Sequence, residues 1–350
     1  MKKLISLLLI GAMAVSLAAC AHSPGDGIPA TEPVEETASA VTEVSEAYPI
    51  TVTDQAGREV TIEKEPQRLV SCYYITTSLL MALGRDEAMV GIEDNPDYRP
   101  IYGLCAPHLL ELPWVGTAKV LDVEACLALN PDLVILPLRL KDSAEVLEDL
   151  GVDVLLVNPE SQELLEEMIR LVGNATNTRQ IAEELLSFLA EKEDYLLQNL
   201  AGTEAPSVYL AGNSDLLSTA GNAMYQSDMI RLGGGRNVAA DIQDTYWAQI
   251  DYEQLLTWNP EYIILASSAK YTVADVLADP NLVSCAAVVN GNVYQIPADA
   301  ESWDSPVPSS ILGAFWLANI LHPDRLDDAD CTAIMNEYYE NFYQFTYLKK

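Results

Sequence analysis

The strongest constraint on the fold is a segment that occurs twice. Leu121-Asp122-Val123-Glu124-Ala125-Cys126-Leu127-Ala128-Leu129-Asn130-Pro131-Asp132-Leu133-Val134-Ile135-Leu136 is one copy, and Ile250-Asp251-Tyr252-Glu253-Gln254-Leu255-Leu256-Thr257-Trp258-Asn259-Pro260-Glu261-Tyr262-Ile263-Ile264-Leu265 is the other. They share Asp, Glu, Leu, Asn-Pro and Ile-Leu in register. Each copy reads as a helix, a break and a buried strand. Proline disfavours helical backbone in the residue before it, so each Asn closes its helix and each apolar run enters a sheet. Two copies in register predict two similar lobes.

The segments around the first copy read the same way. Ile50, Val52, Val60 and Ile62 flank the turn Asp54-Gln55-Ala56-Gly57 and predict a hairpin. Leu69-Val70-Ser71-Cys72 predicts a strand, Thr76 to Leu83 a helix closed by Gly84, and Met89 to Ile92 the next strand. Strand, helix and strand repeating in this way indicate parallel α/β architecture. Between the two copies, Ile181, Leu185, Phe188, Leu189 and Leu196 recur at helical spacing. The span Thr178 to Leu200 contains neither Gly nor Pro, which predicts one continuous connecting helix.

The N-terminal residues predict export. Lys2 and Lys3 precede an apolar stretch from Leu4 to Ala14, too short to be a comfortable membrane span, and Leu17-Ala18-Ala19-Cys20 ends it on small residues. This pattern resembles the lipobox of bacterial lipoproteins, which implies lipidation at Cys20. Residues 1–19 read as the signal peptide. Residues 20–47 read as a flexible tether, because His22 to Ala47 has no aromatics and too little apolar surface to offset its ordering entropy. The formal charge of −33 argues against nucleic acid and anionic lipid as partners. Beyond Cys20, five cysteines without C-x-x-C spacing leave room for at most two disulfides and make a zinc cluster or a dense disulfide framework a poor reading.

Asp54-x-x-Gly57-Arg58-x-Val60-x-Ile62-x-x-x-Pro66-x-Arg68-Leu69-Val70 resembles the opening of the periplasmic binding proteins for iron-siderophores, haem and cobalamin. Asn130-Pro131-Asp132-Leu133-Val134-Ile135 resembles a second landmark of that family. Trp303-Asp304-Ser305-Pro306, Ile311-Leu312-Gly313 and His322-Pro323 resemble its C-terminal region. The resemblance covers about Tyr48 to the end. It implies an α/β fold of two Rossmann-like lobes with parallel sheets, joined by one long helix, with a ligand cleft between them. The boundaries it suggests are 48–175 for the first lobe, 176–201 for the connecting helix and 202–350 for the second. It further implies a monomer that serves an ABC permease and ATPase at the outer face of the membrane. The implied cargo is a metal chelate (iron-siderophore, haem or cobalamin type), with an oxyanion such as molybdate or tungstate as the alternative. No cofactor is implied.

Ligands of parallel α/β sheets bind beyond the carboxyl ends of strands. That rule selects Tyr73 and Tyr74 after Val70, then Tyr98, Arg99 and Tyr102 after Ile92, and Arg139 after Leu136. In the second lobe it selects Asn213, Tyr246, Trp247, Ser267, Ser268 and Trp303. Flat aromatics suit a macrocycle or catecholate, while the two arginines suit carboxylate or oxyanion groups. In the resembling family, a carboxylate on each lobe meets arginine pockets of the permease. Extending the internal repeat by one helix pairs Glu145 with Asp275 for that role.

Other classes fit less well. No G-x-S-x-G, H-E-x-x-H or phosphate loop occurs, which disfavours an enzyme, and Gly233-Gly234-Gly235 lacks the Lys-Ser/Thr of a phosphate loop. With only His22, His108 and His322, bare Zn²⁺ or Mn²⁺ is a poor cargo; His108 reads as a turn residue and His322 as a helix end. A surface sensor that binds without transport is the remaining alternative.

Overall fold

The computed structural model describes residues 48–243 and 247–347. The signal-peptide, tether, Cys20 and Tyr246 expectations lie outside the described residues.

The chain opens with an antiparallel hairpin, β1 (Ile50–Thr53) and β2 (Glu59–Ile62). Gly57 sits at φ +76° in its turn, a conformation that costs a Cβ-free residue little. Buried Asp54 fixes the hairpin to the first lobe. Its carboxylate pairs with Arg58 at 2.7 Å and accepts the backbone N–H of Leu156 at 3.1 Å.

The first lobe is built on β3 (Leu69–Ser71) and β4 (Met89–Gly91), a small ribbon of β5 (Gly116–Thr117) and β6 (Val120–Leu121), then β7 (Leu133–Pro137) and β8 (Asp153–Val157). Its sheet runs β4-β3-β7-β8 and is parallel throughout. The second lobe holds β9 (Ser207–Ala211), β10 (Ser218–Ala220), β11 (Arg236–Asn237), β12 (Trp247–Gln249), β13 (Tyr262–Leu265) and β14 (Val293–Gln295). Its order is β12-β10-β9-β13-β14, with β11 beside β9. This sheet is parallel across β11, β9, β13 and β14, as expected, and β10 and β12 add an antiparallel pair at one side. The link from Ala211 to Ser218 is too short for a crossover helix, so the chain returns as a hairpin.

The repeated segments take the same local structure. Asp122 caps the helix Val123–Ala128 by accepting the N–H of Ala125 at 2.9 Å. Asp251 caps Tyr252–Trp258 through the N–H of Gln254 at 2.8 Å. Such caps each contribute about 1 kcal/mol. Asn130 (φ +48°) and Asn259 (φ +43°) then turn the chain through the left-handed region into β7 and β13. Asn tolerates that region better than other residues that carry a Cβ.

A single helix, Arg179–Asn199, lies between the sheets in sequence and extends about 30 Å. It buries Leu185, Phe188, Leu189 and Leu196 in a core shared by both lobes. The C-terminal helix Asp328–Tyr343 adds a second connection, because it returns to pack against Tyr74–Ala82 of the first lobe. Gly233–Gly235 ends the helix Tyr225–Leu232, as the sequence suggests. A Cβ on Gly234 would stand 2.6 Å from Nε2 of His322, which faces the Gly234 carbonyl. Cys72, Cys126 and Cys285 are buried free thiols.

Candidate functional site

Both lobes present strand ends to an interlobe cavity of about 90 Å³, lined by Tyr74, Ser78, Arg99 and Tyr102 on one side and Ser268 and Glu301 on the other. Tyr73 and Tyr74 follow β3, their rings edge to face at 5.8 Å. The Arg99 guanidinium stacks on the Tyr74 ring at 3.8 Å from its centroid. Such an arginine is held as a flat platform while its N–H edge stays available to an anion. Arg139 follows β7 and pairs at 3.5 Å with Glu160, which follows β8. That pair sits beside Tyr73. Burial pushes the Tyr73 phenol up; Tyr74 and Glu160 push the same way, and Arg139 opposes them.

Behind the arginine lies a buried acid in each lobe. Glu93 accepts hydrogen bonds from the Tyr102 hydroxyl at 2.5 Å and the Thr77 hydroxyl at 2.7 Å. Glu301 accepts from Ser78 at 2.5 Å and from Tyr339 at 3.4 Å. The Ser78 bond crosses from lobe to lobe. The backbone bonds Ile101 N–H to Ala300 O at 3.1 Å and Tyr225 N–H to Glu160 O at 3.0 Å cross as well. Asp304 accepts the Ser267 hydroxyl at 2.5 Å and the Ser267 N–H at 3.1 Å. Burial raises all three carboxyls above the usual range, and the hydrogen bonds from hydroxyl groups offset part of that rise.

These raised carboxyls make a stability prediction with a definite sign. A carboxyl that holds its proton more tightly when folded gives the native state more bound protons than the unfolded chain. Their contribution to stability is then fully present at acid pH and is lost as pH climbs from about the ordinary Glu value of 4.5 through the raised folded value. Urea midpoints at constant ionic strength are expected to be lower at neutral pH than at pH about 5. Glu301→Gln is expected to flatten that slope. An equal slope in the variant would remove Glu301 as a source of it.

Of the first-lobe candidates, Tyr74, Arg99 and Tyr102 line the cavity, with Tyr98 80 % exposed at its mouth; Tyr73 adjoins it through its ring contact with Tyr74, and Arg139 pairs with Glu160 outside the lining. Ser267 lies just behind Ser268, bonded to Asp304. Asn213 is exposed beyond β9, and its carbonyl accepts the Lys270 N–H at 2.9 Å. Trp247 lies on edge strand β12 and packs over Gly212. Trp303 requires a correction. It is 1 % exposed, and its indole N–H donates to Tyr339 at 2.9 Å, so it belongs to the core behind the cleft. Glu145 and Asp275 are both exposed, on the first α-helices after β7 and β13. Asp275 also forms a capping box with Thr272, whose hydroxyl and N–H hold its carboxyl below the usual range.

Glu93, Glu160, Ser78 and Glu301 were not among the sequence candidates. Glu93 directly follows Ile92 and was reachable by the strand-end rule. Glu301 has no local signal, because its partner Ser78 is 223 residues away.

The comparisons match this architecture. A family model described as periplasmic binding protein covers residues 69–300. The molybdate-binding protein MolA of Haemophilus influenzae is 26 % identical over 85 % of this chain and 91 % of its own length. Its solved structure, bound to molybdate, superposes with a TM-score of 0.75 at 25 % identity, over 85 % of this chain and 99 % of that one. The uncharacterized ABC transporter substrate-binding lipoprotein YvrC of Bacillus subtilis is 27 % identical, over 90 % of this chain and 96 % of its own. A cobalamin-binding protein of Halobacterium salinarum is 25 % identical, over 90 % and 84 % respectively. All are named for binding rather than turnover. The family match begins at the first strand of one sheet and ends among the cleft residues of the other lobe, so this chain belongs to the periplasmic binding protein family.

Proposed function

We propose that this chain is the lipid-anchored substrate-binding component of an ABC importer, and that its cargo is a small oxyanion of the molybdate or tungstate type. The observation that carries the cargo reading is the size and chemistry of the interlobe cavity. About 90 Å³ is room for roughly three waters. Pockets that enclose drug-sized ligands run to about 300–1,000 Å³, so a corrinoid or haem needs the lobes further apart. Arg99 supplies a cation, and Ser78 and Ser268 supply hydroxyls. The net charge of −33 opposes anion capture, so the reading depends on the Arg99 guanidinium and the hydroxyl groups that line the cavity.

A metal chelate is the second reading. It is favoured by Tyr98, an exposed ring at the cavity mouth that would offer a flat ligand a platform in a more open form. Closure is expected to be small, because the helix Arg179–Asn199 and the returning helix Asp328–Tyr343 both tie the lobes. Glu145 and Asp275 are the carboxylates we assign to permease docking, one on each lobe.

The test is a thermal-shift panel on the chain without its signal segment, with molybdate, tungstate, cobalamin, haem and ferric siderophores. A ligand at 100 times its Kd adds about 2.7 kcal/mol of stability. A shift with the oxyanions alone supports the reading. A shift with cobalamin, haem or a siderophore alone overturns the oxyanion and leaves the binding-protein assignment in place.

A further inference from the structure

Three side chains of metal-ligating type meet on the first lobe, away from the cleft. Asp86 and Glu87 stand together on the 3-10 turn Asp86–Ala88, and His108 projects from the 3-10 turn Pro107–Glu111. One donor atom from each lies within 4.8 Å of the other two. His108 Nε2 is 3.5 Å from Asp86 Oδ2. That nitrogen is shielded from solvent and makes no hydrogen bond among the described residues. A separation of 3.5 Å is long for a hydrogen bond between these groups. It is the spacing of two ligands on one metal, because zinc–nitrogen and zinc–oxygen bonds of about 2.0–2.2 Å put tetrahedral donors roughly 3.3–3.6 Å apart.

We propose that Asp86, Glu87 and His108 form a divalent-cation site for a first-row transition metal such as Zn²⁺ or Mn²⁺. One imidazole and two carboxylates are a borderline donor set that suits these ions, and solvent completes the shell. Access is open, since Asp86 also lines a surface groove of about 530 Å³ with Gly84, Cys105 and Tyr343.

The place in the fold separates this site from cargo binding. The Asp86–Ala88 turn leads into β4, so it lies at the amino end of that strand, whereas the cleft residues follow the carboxyl ends. The cation staples this turn to the segment that follows the helix Pro100–Cys105. That same helix starts next to Arg99 and carries Tyr102, so the site anchors the far end of an element whose near end faces the ligand.

The experiment is calorimetric titration of the purified protein with Zn²⁺ and then Mn²⁺, in physiological salt with millimolar Mg²⁺ to suppress loose binding by surface carboxylates. One equivalent is expected to bind, and His108→Ala is expected to weaken it by more than the about 10- to 100-fold typical of losing an outer-shell partner. Glu87→Gln, an exposed and nearly isosteric change, is expected to weaken it as well. Circular dichroism confirms that each variant is folded, and X-ray absorption of the zinc-loaded protein should show one imidazole in the shell. Equal binding by the wild type and His108→Ala, or only weak multiple binding that Mg²⁺ displaces, overturns the site and leaves Asp86 and His108 as an ion pair.

Discussion

Arg99→Ala is expected to lower affinity for the oxyanion by about 10- to 150-fold with little loss of fold stability. The expected size follows from what the guanidinium does. It stacks on Tyr74 at 3.8 Å and is a cation lining the interlobe cavity. A hydrogen bond to a charged group is worth about 1.5–3 kcal/mol, and each 1.4 kcal/mol is a factor of ten in affinity. The stack itself contributes about 0.5–1 kcal/mol, so the apo protein should lose no more than that. Arg99→Lys keeps the charge but lacks the planar fork and the stacking face, so it should fall between wild type and Ala. Calorimetry with molybdate, beside a urea melt of each variant, measures both quantities. Unchanged affinity in Arg99→Ala would remove this residue from the site and with it the oxyanion reading.

How much of this was legible beforehand divides along local and long-range physics. The Asp caps, the Asn-Pro breaks and the Ile-Leu strands recur as the repeat suggests, because each depends on residues within a few positions. The connecting helix was legible for the same reason: twenty-one residues from Arg179 to Asn199 propagate without a breaker. The antiparallel strands β10 and β12 were not read, because β10 is set by a short return from β9 and β12 by pairing with β10 from further along the chain rather than by an alternating pattern. Among the residues that line the cavity, the strand-end rule selected Tyr74, Tyr98, Arg99, Tyr102 and Ser268. It also selected Trp303, since sequence cannot tell an aromatic that faces a cleft from one that faces the core behind it. Glu301 stayed hidden because its burial is produced by Ser78 and Tyr339, both far away in sequence.

The placement of Trp303 leads to the second large effect, on stability. Trp303→Ala is expected to cost about 3–5 kcal/mol, the usual range for deleting a fully buried aromatic. The ring packs against Tyr347 at a centroid distance of 5.7 Å, and its Cβ is 3.1 Å from where Gly313 would carry one. That close fit leaves little room for neighbours to collapse into the hole. A chain of this size should lose about 5–8 °C in melting temperature. The indole also opens a hydrogen-bond chain that ends in the cleft: Trp303 donates to Tyr339, and Tyr339 donates to Glu301, which accepts from Ser78 of the other lobe. Trp303→Phe separates the two roles, because it keeps most of the volume but removes the N–H. It should cost only about 1–2 kcal/mol in stability, yet shift the pH dependence of ligand binding by releasing Tyr339 from its donor. Urea denaturation of both variants, with binding of the Phe variant followed across pH, tests the pair. A Phe variant with wild-type pH dependence would make Trp303 a filler of core volume and nothing more.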